Sequence, residues 1–394
     1  MKFRFLGYAL LPVLLFCLTA CSNNNAAITS SGSGVLYLTA QGNSTVSSFS
    51  LNLGSGALSA IGSIIPTGSV PSAIAVTPSV NALFVANSGS NSISSYTINS
   101  DGSLTAASGT TPTGTTPTAL AVDPAGKFLF VANQGSSSVS AFSISGAALT
   151  AVSGSPFTTI PVGLSYPNGT LPSGVIVSAS GKFLYVANEL ANFVSAFSVN
   201  SSGGLTPLPV AFYNTGLGPV GLAIPPNGGF LYVANSGANS DNISAFAICD
   251  AVVTSCTDVN NPDGTLTEVR GSPFPAGLGP VAIAFDPAFS FAYVVDEGSN
   301  QISQYSYSTG TGVLTPLSPG SISTGTSPVS IAVRSGATGT NVGSTITNPT
   351  DYVYVANFGA GTVSTYTLTT TSGLLTVVGT PFITAGQTSA VAAR

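Results

Sequence analysis

Histidine and tryptophan are missing from this chain of 394 residues, methionine occurs once, and charge is scarce, with 7 Lys+Arg against 12 Asp+Glu. So few cations leave no basic stripe to displace counterions from phosphates, which excludes nucleic acid as a partner. The same scarcity makes a phosphorylated substrate hard to hold. Few groups titrate, so folding is expected to depend only weakly on pH down to acid conditions. Cysteine occurs four times, and a soft metal site recruits four thiolate or imidazole donors. Only Cys249 and Cys256 share a loop, which offers too few such donors, so no metal site is expected there. Low charge does not signal disorder here, because 44% of the residues are hydrophobic and can bury a large core.

What the chain has in abundance is repetition. LYLTA from Leu36, LFVAN from Leu83 and Leu129, LYVAN from Leu184 and Leu231, AYVVD from Ala292 and VYVAN from Val353 are seven copies of one segment. Each is trailed by a second segment of the type VSAFSI. Successive copies place their shared aromatic residue 47, 46, 55, 47, 61 and 61 residues apart. A period in the forties built from short, glycine-punctuated β segments is that of a four-stranded propeller blade, and the longer periods mark insertions. The expected fold is all-β, a seven-bladed β-propeller with four antiparallel strands per blade, named A to D from inside to outside.

Nothing resembling strand A precedes Leu36, whereas GQTSAVAAR at the C-terminus aligns with GTSPVSIAV of the previous unit. The C-terminal strand therefore joins the N-terminal blade and closes the ring, which removes free sheet edges. Pro71, Pro117, Pro172, Pro219, Pro280 and Pro328 open strand A in six blades, and Ser389 is placed there in the seventh. Tyr37, Phe84, Phe130, Tyr185, Tyr232, Tyr293 and Tyr354 share a position of strand B, and Phe49, Tyr96, Phe142, Phe197, Phe246, Tyr305 and Tyr366 share one of strand C. Two aromatic rings packed between blades are expected from them. Asn87, Asn133, Asn188, Asn235 and Asn357 end strand B, where asparagine is expected to bond nearby backbone N–H groups of the turn.

At the N-terminus, Lys2 and Arg4 precede an apolar run from Phe5 to Leu18 that is short for a membrane span, and the run ends Leu18-Thr19-Ala20-Cys21. This resembles the lipobox of bacterial lipoproteins. The resemblance implies a signal peptide over 1–20, acylation of Cys21, and a flexible tether over 21–34 carrying a propeller at 35–394. Membrane contact is then through the lipid at Cys21, the address is the extracytoplasmic cell envelope, and Ser22 after the cysteine favours the outer membrane in a diderm. Cys249 and Cys256 share one insertion between strands C and D of the fifth blade, and outside the cytoplasm a local disulfide is the default expectation. Ser335–Thr350 is a second insertion, between strands A and B of the seventh blade.

The stretch PTALAVDPAGKFLFVAN, Pro117 to Asn133, and its partial copy at Pro172 to Asn188 resemble the seven-bladed lactonase propellers related to 6-phosphogluconolactonase and, equally, the YVTN-type surface propellers. The resemblance implies this fold over nearly all of 35–394. For a lactonase it also implies charged groups in the central cleft, often His and Arg, and the missing histidine weighs against catalysis. On the face bearing the B-to-C and D-to-A connections, charge is read at Glu189, Asp241, Arg270, Asp296 and Glu297, with Leu190, Phe193 and Tyr166 as apolar neighbours. These eight are the candidate ligand site, and Glu189, Asp296, Glu297 and Arg270 are the candidates for any catalysis. The first reading is a lipid-anchored binding or interaction module for a small neutral ligand or a protein, without a cofactor. A lactonase-like hydrolase, with calcium as the one cofactor left open, and a structural cell-surface protein are the alternatives.

Overall fold

The computed structural model describes residues 33–52, 54–250, 263–288, 290–335, 351–384 and 386–393. The signal segment 1–20, Cys21, nearly all of the tether, Cys256 and nearly all of the Ser335–Thr350 insertion lie outside these residues. Seven antiparallel sheets follow one another around a ring, each with its strands in the order A-B-C-D. Strands A are Thr388–Ala393, Pro71–Val76, Pro117–Val122, Pro172–Val177, Pro219–Ala223, Pro280–Phe285 and Pro328–Arg334 for blades one to seven. They touch their counterparts in the neighbouring blades all the way round, so they line the axis. Strand D is continuous in blades one, two, four and six and broken into two pieces in blades three, five and seven.

Closure occurs where the sequence places it. Thr388–Ala393 pairs antiparallel with Ser33–Ala40, from Leu36 opposite Ala393 to Ala40 opposite Thr388. The register differs by one residue from the sequence reading. Thr388, not Ser389, stands where Pro71 stands in blade two, because each strand A carries a bulge directly after its first residue. Ser389 is instead the counterpart of Ser72, Thr118 and Ser173. Each of these four hydroxyls donates to the carbonyl of the first proline in the next strand A: Ser389 to Pro71 (2.8 Å), Ser72 to Pro117 (2.8 Å), Thr118 to Pro172 (3.1 Å) and Ser173 to Pro219 (2.9 Å). Blades five to seven have Val220, Val281 and Val329 at this place and rely on apolar contact. The next position is small because the neighbouring backbone is close: a Cβ on Gly221 would overlap the Val281 carbonyl oxygen.

The two aromatic rings pack between blades, and their hydroxyls bond across the gap. Tyr37, Tyr185, Tyr232 and Tyr293 donate to the carbonyls of Gly102, Gly264, Gly312 and Gly373, each in the C-to-D turn of the following blade. Those glycines have φ between 73 and 87° and carry the aliphatic or aromatic face of the preceding blade where a side chain would stand. On strand C, Tyr96, Tyr305 and Tyr366 reach back to Pro66, Pro275 and Ser323 of the preceding blade. Burial raises the phenols of Tyr185, Tyr232, Tyr293, Tyr96, Tyr305 and Tyr366 above their usual range, Tyr96 being pushed up to about 12. Replacing Tyr232 by Phe should leave the Gly312 carbonyl buried and unpaired and cost about 1–3 kcal/mol. Tyr354→Phe, which removes a buried hydroxyl with no hydrogen-bond partner, should cost nothing. Urea unfolding of the two variants checks the contrast, and equal losses would remove the hydrogen bond as the cause.

Candidate functional site

Each strand B ends next to the start of its own strand A, and one residue follows whose position is the same in all blades. These residues are Gln41, Ser88, Gln134, Glu189, Ser236, Glu297 and Phe358. Their backbone N–H groups donate, at 2.8 to 2.9 Å, to the residue just before strand A: Gln387, Val70, Thr116, Leu171, Gly218, Gly279 and Ser327. Because strand A lines the axis, the seven form a collar around the mouth of the central channel on the face of the B-to-C and D-to-A connections. Two carboxylates stand in it, separated by Ser236. Gln134 of blade three donates its Nε2 to Glu189 Oε2 of blade four (3.1 Å), so one collar side chain orients the next across a blade boundary.

Burial raises both glutamates above the ordinary carboxylate range; the Gln134 hydrogen bond opposes that rise at Glu189, and no such bond opposes it at Glu297. The collar thus holds two half-buried carboxyls, both displaced toward the protonated form, and displaced carboxyls at a channel mouth are candidates for acid–base work. Gln41 adds an amide nitrogen that is buried and without a hydrogen-bond partner. The sequence reading named Glu189 and Glu297 and missed Gln41, Gln134 and Ser236, although the position directly after the strand-B asparagine identifies Gln134 and Ser236; Gln41 follows Ala40 and carries no such mark.

The other candidates lie elsewhere. Asp296 is fully buried one residue below the collar, in the place occupied by asparagine in five blades. Those asparagines bond strand C: Asn87, Asn133, Asn188, Asn235 and Asn357 donate Nδ2 to Ser94, Ser140, Ser195, Ser244 and Ser364 at 2.9 to 3.0 Å, and of the five Asn357 also accepts a turn N–H, that of Gly325 (3.1 Å). At Asp296 the bond is reversed, with Ser303 Oγ donating to Oδ2 at 2.6 Å. Asp241 is a turn residue whose Oδ1 accepts the Gly279 N–H (2.8 Å), as Asn91, Asn192 and Asn300 do for Thr116, Gly218 and Ser327. Arg270 is not on this face at all. It falls between Leu266–Glu268 and Phe274–Pro275, the two pieces of the broken outer strand of blade five, on the perimeter. Leu190 is exposed in the turn beside Glu189. Tyr166 meets buried Phe193 edge-on (5.6 Å between ring centres), and Phe193 packs at a tilt against Phe212 (5.4 Å), beside an apolar cavity of about 450 Å³ lined by Pro161, Val162 and Pro207–Phe212. Cys249 is disulfide-bonded, and its partner lies outside the described residues.

Asp296 also changes the expectation of a flat pH response. Burial lifts its carboxyl to about 7 despite bonds from Ser303, Gln301 and Gly277. Its folded value lies above its unfolded one, so the native state binds the extra proton, and the stability this provides is present at low pH and lost as pH rises from about 4 to about 7. The shift of some three units corresponds to about 4 kcal/mol at most. Glu189, Glu297 and Asp286 are displaced in the same direction. Denaturant unfolding at pH 4.5 and pH 8 should show the protein less stable at the higher pH, and Asp296→Asn should remove most of the difference. A difference unchanged by that substitution would assign it to other groups.

Among the described residues no group of three or more His, Cys, Asp or Glu side chains could hold a metal ion. The sequence profile of the seven-bladed β-propeller lactonases matches residues 27–154, 152–253 and 249–387. The chain belongs to the lactonase family. No curated protein sequence matches this lactonase-family propeller. Among solved structures it is similar to a candidate 6-phosphogluconolactonase of Bacteroides fragilis (18% identity, TM-score 0.74, covering 93% of this chain and 99% of that one) and to the periplasmic gluconolactonase of Pseudomonas aeruginosa (20% identity, TM-score 0.71, 92% and 98%). A Lactobacillus plantarum protein is similar to the same degree (18% identity, TM-score 0.72, 92% and 99%). At these identities the likeness is one of fold. Membership of a lactonase family overturns the first reading as a binding or interaction module in favour of the hydrolase alternative. The absence of histidine misled that reading, since carboxyl groups can serve as base and acid without it.

Proposed function

We propose that the chain is a lactonase-like hydrolase that opens lactone rings at the collar. The observation that carries this is the pair Glu189 and Glu297, the two ionisable members of the collar, both lifted by burial in a chain that belongs to a lactonase family. Glu189, held toward its ionised form by Gln134, acts as general base. It takes a proton from water as the water oxygen bonds to the lactone carbonyl carbon. Glu297, with nothing opposing its retention of a proton, acts as general acid. It protonates the ring oxygen as the C–O bond breaks, giving a hydroxy acid. Both carboxyls then return to their starting states by exchange with solvent. Two collar carboxylates fall well short of the six to eight oxygens calcium takes, so we assign calcium no step.

The test is proton release from a panel of sugar and acyl lactones, using the chain from Ser22 onward. Turnover that survives a chelator is expected. A folded protein that opens none of the lactones would sink the proposal. We also propose that the protein works in the bacterial cell envelope, tethered through lipid on Cys21; the disulfide at Cys249 supports an oxidising compartment. Fatty-acid labelling that persists in Cys21→Ser would count against the anchor.

A further inference from the structure

We infer that the substrate is an uncharged lactone, one without a phosphate group; the inference rests on the hydrolase reading above. All seven cationic side chains of the sequence can be located relative to the collar or set aside. Lys2 and Arg4 belong to the N-terminal segment and Arg394 is the last residue, all outside the described residues. Lys127 and Lys182 are exposed in A-to-B turns, on the opposite face of the ring. Arg270 is exposed on the outer perimeter of blade five. Arg334 ends strand A of blade seven, again on the opposite face, near Asp351 and Tyr354.

The collar itself offers two carboxylates, two carboxamides, two hydroxyls and Phe358. A phosphate carries close to two negative charges near neutral pH, and proteins hold it with bidentate arginine, lysine, or clustered backbone N–H groups at helix N-termini. Here the only helical element among the described residues is the single turn Gln134–Ser136. The collar N–H groups are already spent on the carbonyls before strand A. A dianion at this mouth would face the ionised Glu189, and no counter-charge among the described residues, in a half-buried setting where charges are poorly screened. Hydroxyls and carboxamides, by contrast, are the partners that the hydroxyl groups of a neutral sugar ring require.

The experiment compares kcat/KM for glucono-1,5-lactone with that for its 6-phosphate under the same conditions, at two salt concentrations. The neutral lactone should be preferred by at least about tenfold. Activity on the phosphorylated one should rise with salt as repulsion is screened, while the neutral one should not respond. Ser236→Lys, which sets a cation between the two glutamates, should shift the ratio toward the phosphorylated lactone by about tenfold. Equal or better use of the phosphorylated lactone by the unaltered protein overturns this inference and leaves the hydrolase reading standing. Turnover of neither by the folded chain overturns both.

Discussion

A chain that stops at Gln387 should fail to fold as a ring. Thr388–Ala393 is the inner strand of blade one and the strand that pairs the end of the chain with its beginning. Without it, Leu36 to Ala40 lose their ladder partner, and Leu36, Tyr37 and Leu38, now at most 4% exposed, meet the channel. The Ser389 hydroxyl bonds to Pro71 and Thr39 disappear with it, as does the bond from Val391 N–H to Ser330 of blade seven. Each buried backbone group left unpaired costs about 1–3 kcal/mol, and a domain's whole stability is about 5–15 kcal/mol. Several such groups at once are comparable to the total. The expected result is loss of cooperative thermal unfolding and a rise in exposed apolar surface, partly reversed by adding a peptide of sequence TSAVAA. A truncated chain that melts cooperatively within a few degrees of the full one would show that the ring closes without its last strand.

In the proposed site, Glu189→Gln and Glu297→Gln should each lower kcat/KM by about 10²–10⁴, the usual worth of a positioned acid or base, with a far-UV spectrum unchanged. Because the two act on one transition state, the double variant should lose much less than the product of the single losses. Gln134→Ala separates orientation from chemistry. Removing the amide that opposes protonation of Glu189 raises that carboxyl further, so the acid limb of the pH–rate profile should move to higher pH while the plateau stays within a few-fold. A profile fixed in position but uniformly lowered would make Gln134 a packing residue only. If both glutamine variants keep full activity, the collar is not where the ring opens.

The ring was legible because the repeat is: seven copies of one aromatic at spacings near a blade's length, with a terminal strand that aligned to the inner strands. The one-residue error at Ser389 has a physical source. The bulge after the first residue of strand A is marked by proline in six blades, and blade one has Thr388 there, so nothing in its sequence signals the extra residue. The asparagines were seen but their partners were not, since Asn chemistry permits both turn N–H groups and hydroxyls. The serine seven residues later in most blades was the available clue. Arg270 was misplaced because a broken outer strand of three and two residues has no periodicity to reveal it. Glu189 and Glu297 were picked out as charges, while the relation of Glu189 to Gln134 depends on the shared position at the mouth and on a side chain crossing between blades.

The tyrosine bonds from one blade's strand B to the next blade's glycine turn are all cast in the same direction, and those from strand C all in the other. Every blade that carries them offers a like front and a like back. Nothing in such a joint distinguishes one neighbour from another, so a gene that duplicated or dropped one unit would still encode surfaces that match. The number of blades is then held by how far each wedge opens around the axis, and by a first and last strand that must meet to form one blade.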